Sequence, residues 1–321
     1  MNINAHILNN LWEPKIFTLN MQEFSEKHTA ENLADSLQNI AAEWQIDTKI
    51  VSIVHDNANN IVAAVNMMNV EFNCSCAAHT INLAVRDVLK EDNISIVLAK
   101  GSKIVSHFHH SVIASQALAK KQEQLGLPLR KLIQSVRTRW NSDLHMIERL
   151  IENRDAITAV LADRTLITPL QAKNLEINEN EWSMLENLIP VLKPLEISTT
   201  VLSGAPLSMV RPVIRTVIAN HLSCQTENIS KALAEALSTR FQMESQGDIS
   251  IYQKASFLDP RHKDLQAEPI LQRTAIREMI ELEARSFTPV DSESSAQTLS
   301  NSALDFLFKK PVNIYLTSAA Q

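Results

Sequence analysis

The chain has 321 residues, 45% hydrophobic and 21% charged, with a formal net charge of −6, a length that holds one large domain or two ordinary ones around a sizeable core. Only four glycines occur, where average usage predicts roughly 22, and this excludes a repeated Gly-rich phosphate cradle. No run approaches ~18 consecutive apolar residues, which excludes a membrane-spanning helix.

The first fifteen residues, MNINAHILNNLWEPK, lack the basic segment and apolar core of a secretory leader, so secretion is not expected. Three cysteines, an odd number, make no disulfide framework and suit a reducing compartment. Phe17, Leu19 and Met21 alternate with Thr18 and Asn20 and predict a strand over 16–21 with one wet face. Leu33, Leu37, Ile40, Ala41 and Trp44 recur at helical spacing behind a Thr29 cap, with Glu31 in the positive first turn. The continuous run Ile50 to Val54 reads as a central strand covered on both faces. Ile61, Val62, Val65 and Met68 mark a short helix. Phe72, Cys74 and Cys76 mark a third strand, and Ala78, Ile81, Val85, Val88 and Leu89 the next helix. The order βαβαβα predicts an α/β domain over residues 1–92 with a small, three-stranded sheet.

Beyond residue 93 the strand signal stops, and 93–286 is expected to be all helical. Ile94, Val97, Ile104, Phe108 and Val112 predict one or two helices, interrupted near Gly101 and closed by Gly126 and Pro128. Leu144, Ile147, Ile151, Ile157 and Leu161 predict a helix from Asn141 or Ser142. Trp182 through Leu195 predicts another, bent at Pro190 and Pro194 because a ring there clashes with the preceding turn. Further helices are expected over 207–222, 226–244 and 268–286, with a turn at Asp259-Pro260. The stretch 288–302, TPVDSESSAQTLSNS, is Ser-rich and poor in apolar groups, so 287–321 reads as a disordered linker and short tail.

Charge is distributed unevenly. Residues 1–99 hold five Lys and Arg against twelve Asp and Glu, and residues 141–321 hold seventeen against twenty-three. Residues 100–140 hold eight against one, Glu123, and add His107, His109 and His110. A basic block of this kind steers a polyanion locally whatever the total charge. Taken alone, a charge run is better read as a solvated helix face.

Three strings carry chemistry, each with a plain structural reading beside it. His55-Asp56-Asn57-Ala58-Asn59-Asn60 puts a carboxylate at the exit of a buried strand, where α/β sheets assemble their sites and a hard Mg²⁺ ion finds ligands. On spacing alone the plainer reading of Asp56, a helix N-cap, is preferred. Cys76 and His79 offer two zinc ligands, but the remainder would have to come from Cys74, His107, His109 and His110, and no second paired motif exists. A buried strand cysteine and a helix-start histidine are the preferred reading, and metal is not expected here. Arg137, Thr138, Arg139 and Trp140 close the basic block: arginine clamps phosphate and an indole stacks on an unpaired base. Alternatively, Trp140 packs into a helical core and the arginines pair with Glu148 or Glu152.

In this order the strings resemble the catalytic region of the hAT-superfamily DNA transposases, in particular the vertebrate zinc finger BED-domain proteins derived from them. HDNANN at 55–60, CAAHTINLAV at 76–85, HFHHS at 107–111 and TRWNSDLHMIERL at 138–150 carry the resemblance. The segment from Trp182 to Ser203 and ASFLDPRHK at 255–263 extend it over roughly residues 15–286.

The resemblance implies a partial RNase H-like α/β domain, a three-stranded remnant with helices, followed by a large all-helical insertion. It implies two-metal phosphoryl transfer by two aspartates and a glutamate, of which Asp56 matches the second aspartate. Cys76 and His79 match the family's C-x-x-H motif for handling DNA, and Trp140 with its arginines matches the RW motif. The first aspartate, the glutamate, the BED finger with its zinc and the dimerisation region are expected to lie outside the chain, which then reads as a fragment with an unprotected sheet edge at 16–21. One acid of three cannot hold two Mg²⁺ ions, so the expectation is a non-enzyme with no cofactor of its own and Asp56 as a vestigial Mg²⁺ ligand. The expected function is a transposon-derived nuclear protein that binds DNA or chromatin, regulates transcription and oligomerises through its full-length form. Its DNA contacts are expected from Cys76, His79, Lys120, Lys121, Arg130, Lys131, Arg137, Arg139 and Trp140. A helical interaction scaffold without DNA contact is the alternative, and an active Mg²⁺-dependent transposase the third reading.

Overall fold

The computed structural model describes residues 1–9, 11, 13–68, 70–136, 138–223, 228–244, 249–286 and 314–319. The chain divides into two compact units, one of Met1–Thr80, Pro206–Pro212 and Gln246–Gln321, the other of Ile81–Ala205 and Val213–Ser245. These boundaries differ from the contiguous blocks 1–92, 93–286 and 287–321 read from the sequence. Residues 81–92 fall with the helical unit, and the chain returns to the α/β unit at 206–212 and again from 246.

The α/β unit holds one five-stranded sheet, so the three-stranded remnant is corrected. Strands β1 (Asn2–Leu8) and β2 (Pro14–Met21) form an antiparallel hairpin. Strands β3 (Ile50–His55) and β4 (Phe72–Ser75) pair in parallel. Strand β5 (Ile314–Ala319) lies between β1 and β3, giving the order β2-β1-β5-β3-β4. The tail thus contributes a strand where a linker was expected.

Strand β1 has Ile3 and Ala5 buried, with Ile7 packed against the same core. Strand β2 is the sheet edge, and of its expected dry face only Leu19 reaches the core, while Phe17 and Met21 are exposed. Helix α1 (Ala30–Glu43) starts where the Thr29 side chain accepts the amide of Asn32, satisfying one orphan donor of the first turn. Its Leu33, Leu37 and Ile40 are buried, each side chain contributing about 1.5–3 kcal/mol through burial. Helix α2 (Asn59–Met67) makes the parallel crossover from β3 to β4 and buries Ile61, Ala64 and Val65. Helix α3 (Ala77–Leu89) follows β4 directly.

In the helical unit, α4 (Asp92–His110) runs unbroken through Gly101, which corrects the expected interruption. A Cβ at Gly101 would sit 2.9 Å from Leu150 Cδ1, so the glycine serves close helix packing. Helix α5 (Val112–Gln124) is capped by the Ser111 side chain. The predicted long helix after Trp140 divides at the buried Asn153 into α6 (Asn141–Glu152) and α7 (Arg154–Ala162). Asn153 receives a hydrogen bond from Gln122 Nε2 at 2.7 Å and gives one to the Arg149 carbonyl at 2.9 Å. Helix α8 (Pro169–Leu175) and helix α9 (Glu179–Leu202) both open on capping boxes, and α9 continues through Pro190 and Pro194. A 3₁₀ turn at Leu207–Met209, helix α10 (Val210–Thr216) and a π-helical turn at Val217–Leu222 follow. Helix α11 (Asn228–Arg240) follows in the helical unit, and α12 (Ile251–Leu258) and α13 (Ile270–Ser286), in the α/β unit, complete the helices among the described residues. The stretch 288–302 lies outside the described residues.

Candidate functional site

The first two strings meet at the carboxyl ends of β3 and β4, because the parallel pairing places Val54 beside Cys74 and His55 beside Ser75. The Cys76 amide donates to the His55 carbonyl at 2.7 Å. The Cys76 carbonyl accepts from the Thr80 amide at 2.9 Å and from its hydroxyl at 3.0 Å, opening α3. Asn57 Nδ2 donates to the same Thr80 oxygen at 3.1 Å. The His55 ring is buried, its Nδ1 against the Asp56 carbonyl and its Nε2 against Asn73 Oδ1. Asn73 in turn donates to Asn66 Oδ1 at 2.6 Å.

Asp56 stands immediately after β3, as the sequence placed it. Its Oδ1 accepts the amide of Ala58 at 3.2 Å, so the carboxylate holds the turn into α2. The N-cap position itself is Ala58, without a side-chain cap. Among the described residues no three His, Cys, Asp or Glu side chains gather to hold a metal. Among these residues Asp56 is therefore in no three-ligand set of the kind the two-Mg²⁺ cluster needs, and neither Cys76 nor His79 is in one of the kind zinc needs. Cys74 is buried, receives a hydrogen bond from the Ser52 hydroxyl at 3.3 Å, and burial pushes its thiol pKa up. It is a core residue.

Sequence reading missed Tyr252. From α12 its hydroxyl donates to the Ser75 carbonyl at 2.9 Å, and burial raises the phenol's pKa. No periodic signal marks that bond, which joins positions 177 apart.

The basic block lies in the helical unit. The extended stretch between α5 and α6 is strapped down through its backbone. Gln122 Nε2 donates to the Arg130 carbonyl at 2.9 Å, and Arg149 Nη1 to the Lys131 carbonyl at 2.7 Å. His109 Nε2 lies 2.9 Å from the Leu132 carbonyl. Gln134 Nε2 donates to the Ser102 hydroxyl at 2.7 Å. These bonds use backbone atoms and amides, leaving the cationic heads outward. Lys120, Arg130, Lys131 and Arg139 are exposed and Lys121 half-buried. Arg130 pairs with Glu152 at 3.4 Å and Lys100 with Glu181 at 2.5 Å. Lys103, Lys120, Lys121, Lys131 and Arg139 have no ion pair among the described residues. Arg137 lies outside them.

Trp140 is 1% exposed, a core residue among α6 neighbours such as Leu144 and Ile147. Its face is not available to stack on a base, which corrects that part of the RW expectation. Likewise, among the described residues Glu152 pairs with Arg130 and Arg149, and Glu148 with Lys193, and neither with Arg139.

Two family models match the chain: the ZBED1 RNase-like domain over residues 1–84 and the ZBED1 RNase-like helical domain over residues 74–191. Zinc finger BED domain-containing protein 4 of Homo sapiens is 28% identical over 59% of this chain and 16% of its own length. Zinc finger BED domain-containing protein 6 of Homo sapiens is 27% identical over 66% of this chain and 22% of its own. A Zea mays protein that carries the AC transposase name is 24% identical over 75% of this chain and 32% of its own. The chain therefore spans a third or less of each of these relatives. No described helix is long and apolar enough to cross a membrane. The two overlapping domain matches, which together cover residues 1–191, and these relatives make the chain similar to the hAT transposase-derived zinc finger BED domain-containing proteins.

Proposed function

We propose that this chain is the core of a transposase-derived nuclear protein that binds DNA or chromatin and regulates transcription, with the transposition chemistry lost. The observation that carries the reading is the set Lys103, Lys120, Lys121, Lys131 and Arg139, without ion pairs among the described residues and presented by α4, α5, the strapped stretch 130–134 and the turn before α6. Phosphate contacts of this kind supply affinity and little sequence information, so binding is weakly sequence-selective and falls steeply with salt. The reading of lost chemistry draws on Asp56, whose carboxylate is engaged by the Ala58 amide in holding the turn into α2. No Mg²⁺ and no zinc is assigned to this part of the protein.

Fluorescence anisotropy on duplex and hairpin DNA across a salt series tests the reading. Charge reversal at Lys120, Lys121, Lys131 and Arg139 is expected to lower affinity at least tenfold. It should also flatten the salt slope by about 0.9 for each phosphate the variant no longer neutralises. Unchanged affinity in a folded variant overturns the reading. Mg²⁺-dependent DNA cleavage that vanishes in Asp56→Ala overturns the loss of chemistry.

Exposed apolar groups favour a second reading, a protein-interaction scaffold. Ile270, Leu271 and Leu282 on α13 and Ile16, Phe17 and Met21 on the edge strand β2 all face solvent. Sedimentation without nucleic acid distinguishes it: concentration-dependent association abolished by Leu271→Glu favours the scaffold.

A further inference from the structure

Helix α13 carries apolar groups on two faces. Ile276 is buried, with Met279 and Ile280 half-buried beside it, and these make its inward face. Away from that face Leu271, Ala275, Glu278 and Leu282 recur at steps of four, three and four, which is one stripe along a helix. All four are exposed, Leu271 at 90% and Leu282 at 69%, and Ile270 flanks them at 77%. A single exposed leucine is ordinary. Two on one stripe, about three turns apart, make a seam.

The charges along α13 change sign at its middle. The first half, 270–277, carries Arg273 and Arg277 and no acid; the second, 278–285, carries Glu278, Glu281 and Glu283 against Arg285. Arg277, Glu278 and Glu281 are exposed and have no ion pair among the described residues, while Glu283 pairs with Lys254 at 2.5 Å. A second α13 laid alongside in the same direction would set like charge against like. In the opposite direction, each basic half lies along the acidic half of the other copy. A twofold axis between Ile276 and Arg277 then also sets Leu271 of each copy beside Leu282 of the other.

We propose that α13 is a self-association surface and that its occupant is a second copy of this chain, held in an antiparallel α13–α13 seam by two symmetric Leu271–Leu282 contacts. The leucines supply the affinity, and the charge reversal fixes the direction. The proposal rests on the interaction-scaffold reading and names its partner; the basic block takes no part. One helix pair about 25 Å long lies at the small end of specific interfaces, so the association is weak and is read at high chain concentration.

The test is sedimentation of the full chain, without nucleic acid, over a concentration series. A monomer–dimer equilibrium is expected, and Leu271→Glu and Leu282→Glu should each raise its dissociation constant at least tenfold. Both leucines are exposed, so the variants are expected to fold, which an unchanged thermal melt checks. Direction is read by mixing a Leu271→Cys chain with a Leu282→Cys chain under a mild oxidant, against the unsubstituted chain as background. Cross-linked dimers are expected in the mixture, and at least tenfold fewer in either variant alone. Cross-links in the Leu271→Cys chain alone, the product of a parallel seam, overturn the antiparallel assignment. Self-association that survives both glutamate variants overturns the α13 seam; if Phe17→Glu on β2 then abolishes it, the scaffold reading stands while this proposal falls. A wild type that stays monomeric throughout overturns the proposal and leaves the scaffold reading only unlike partners.

Discussion

The amide of Cys76 donates to the carbonyl of His55 across 2.7 Å, and this one bond ties together two sequence motifs that lie twenty-one positions apart. It extends the β3–β4 ladder one step past the strand ends, so the turn bearing Asp56 and Asn57 and the start of α3 form one surface. Thr80 is the second tie, as the buried acceptor of the Asn57 amide. Thr80→Val removes the hydroxyl and keeps the shape. It is expected to cost about 1–2 kcal/mol in urea unfolding, since the Asn57 amide is left without its acceptor.

Trp140→Ala is expected to destabilise by about 3–5 kcal/mol, the range for emptying a buried aromatic site. Trp140→Phe should cost less and leave DNA affinity unchanged, because the indole is 1% exposed and offers no face to a base. Thermal unfolding and anisotropy on the same variant check both halves. A folded Trp140→Phe with markedly weaker DNA binding would restore the stacking role.

Gly101→Ala places two effects in opposition. Helix propensity favours alanine by about 1 kcal/mol, but the new methyl would sit 2.9 Å from a terminal carbon of the buried Leu150. Overpacking of this kind costs about 1–3 kcal/mol, so the variant should be less stable than wild type. Leu150→Val in the same chain is expected to return part of the loss, a coupling that a double-mutant cycle reads directly.

Glu268 and Arg211 form a fork-shaped ion pair buried to 1% and 3% side-chain exposure, with Gln253 Nε2 donating to Glu268 at 3.0 Å. Glu268→Ala removes the carboxylate that this buried guanidinium pairs with and is expected to cost about 3–5 kcal/mol, measured by chemical denaturation. Glu268→Gln keeps the acceptor and should cost less.

The Arg261 guanidinium and the Ser208 hydroxyl hold the Asp259 carboxyl well below the usual carboxylate range. A depressed folded pKa contributes stability that is present above the unfolded value near ~3.9 and lost as pH falls below it. The stability advantage of wild type over Asp259→Asn should therefore be constant near neutrality and shrink through the acid range. A gap that widens on acidification would refute this.

Local order is legible in the sequence wherever an element carries its own period or cap. Thr29, Leu33, Leu37 and Ile40 announce α1, and Asn178 with Glu181 caps α9 in the manner its polar start implies. Strand β1 carries the same kind of signal, in the alternation of Ile3, Ala5 and Ile7 with Asn2, Asn4 and His6, which a reading of that stretch for leader features alone leaves unused. Residue type marks the chemistry-bearing strings, and a count of charge marks the basic block.

Tertiary structure alone decided the rest, because those facts depend on partners far away in the chain. A six-residue segment such as β5 is too short for its period to speak, and its position is set by two strand edges at the opposite end of the sequence. Whether Trp140 stacks outward or packs inward depends on the space left by α6, which no local pattern encodes. Gly101 looks like a helix break in one dimension and is a packing contact in three, since a missing methyl matters only once Leu150 is brought against it. Periodicity reports which face of an element is dry; which element dries it is decided by packing across the whole unit.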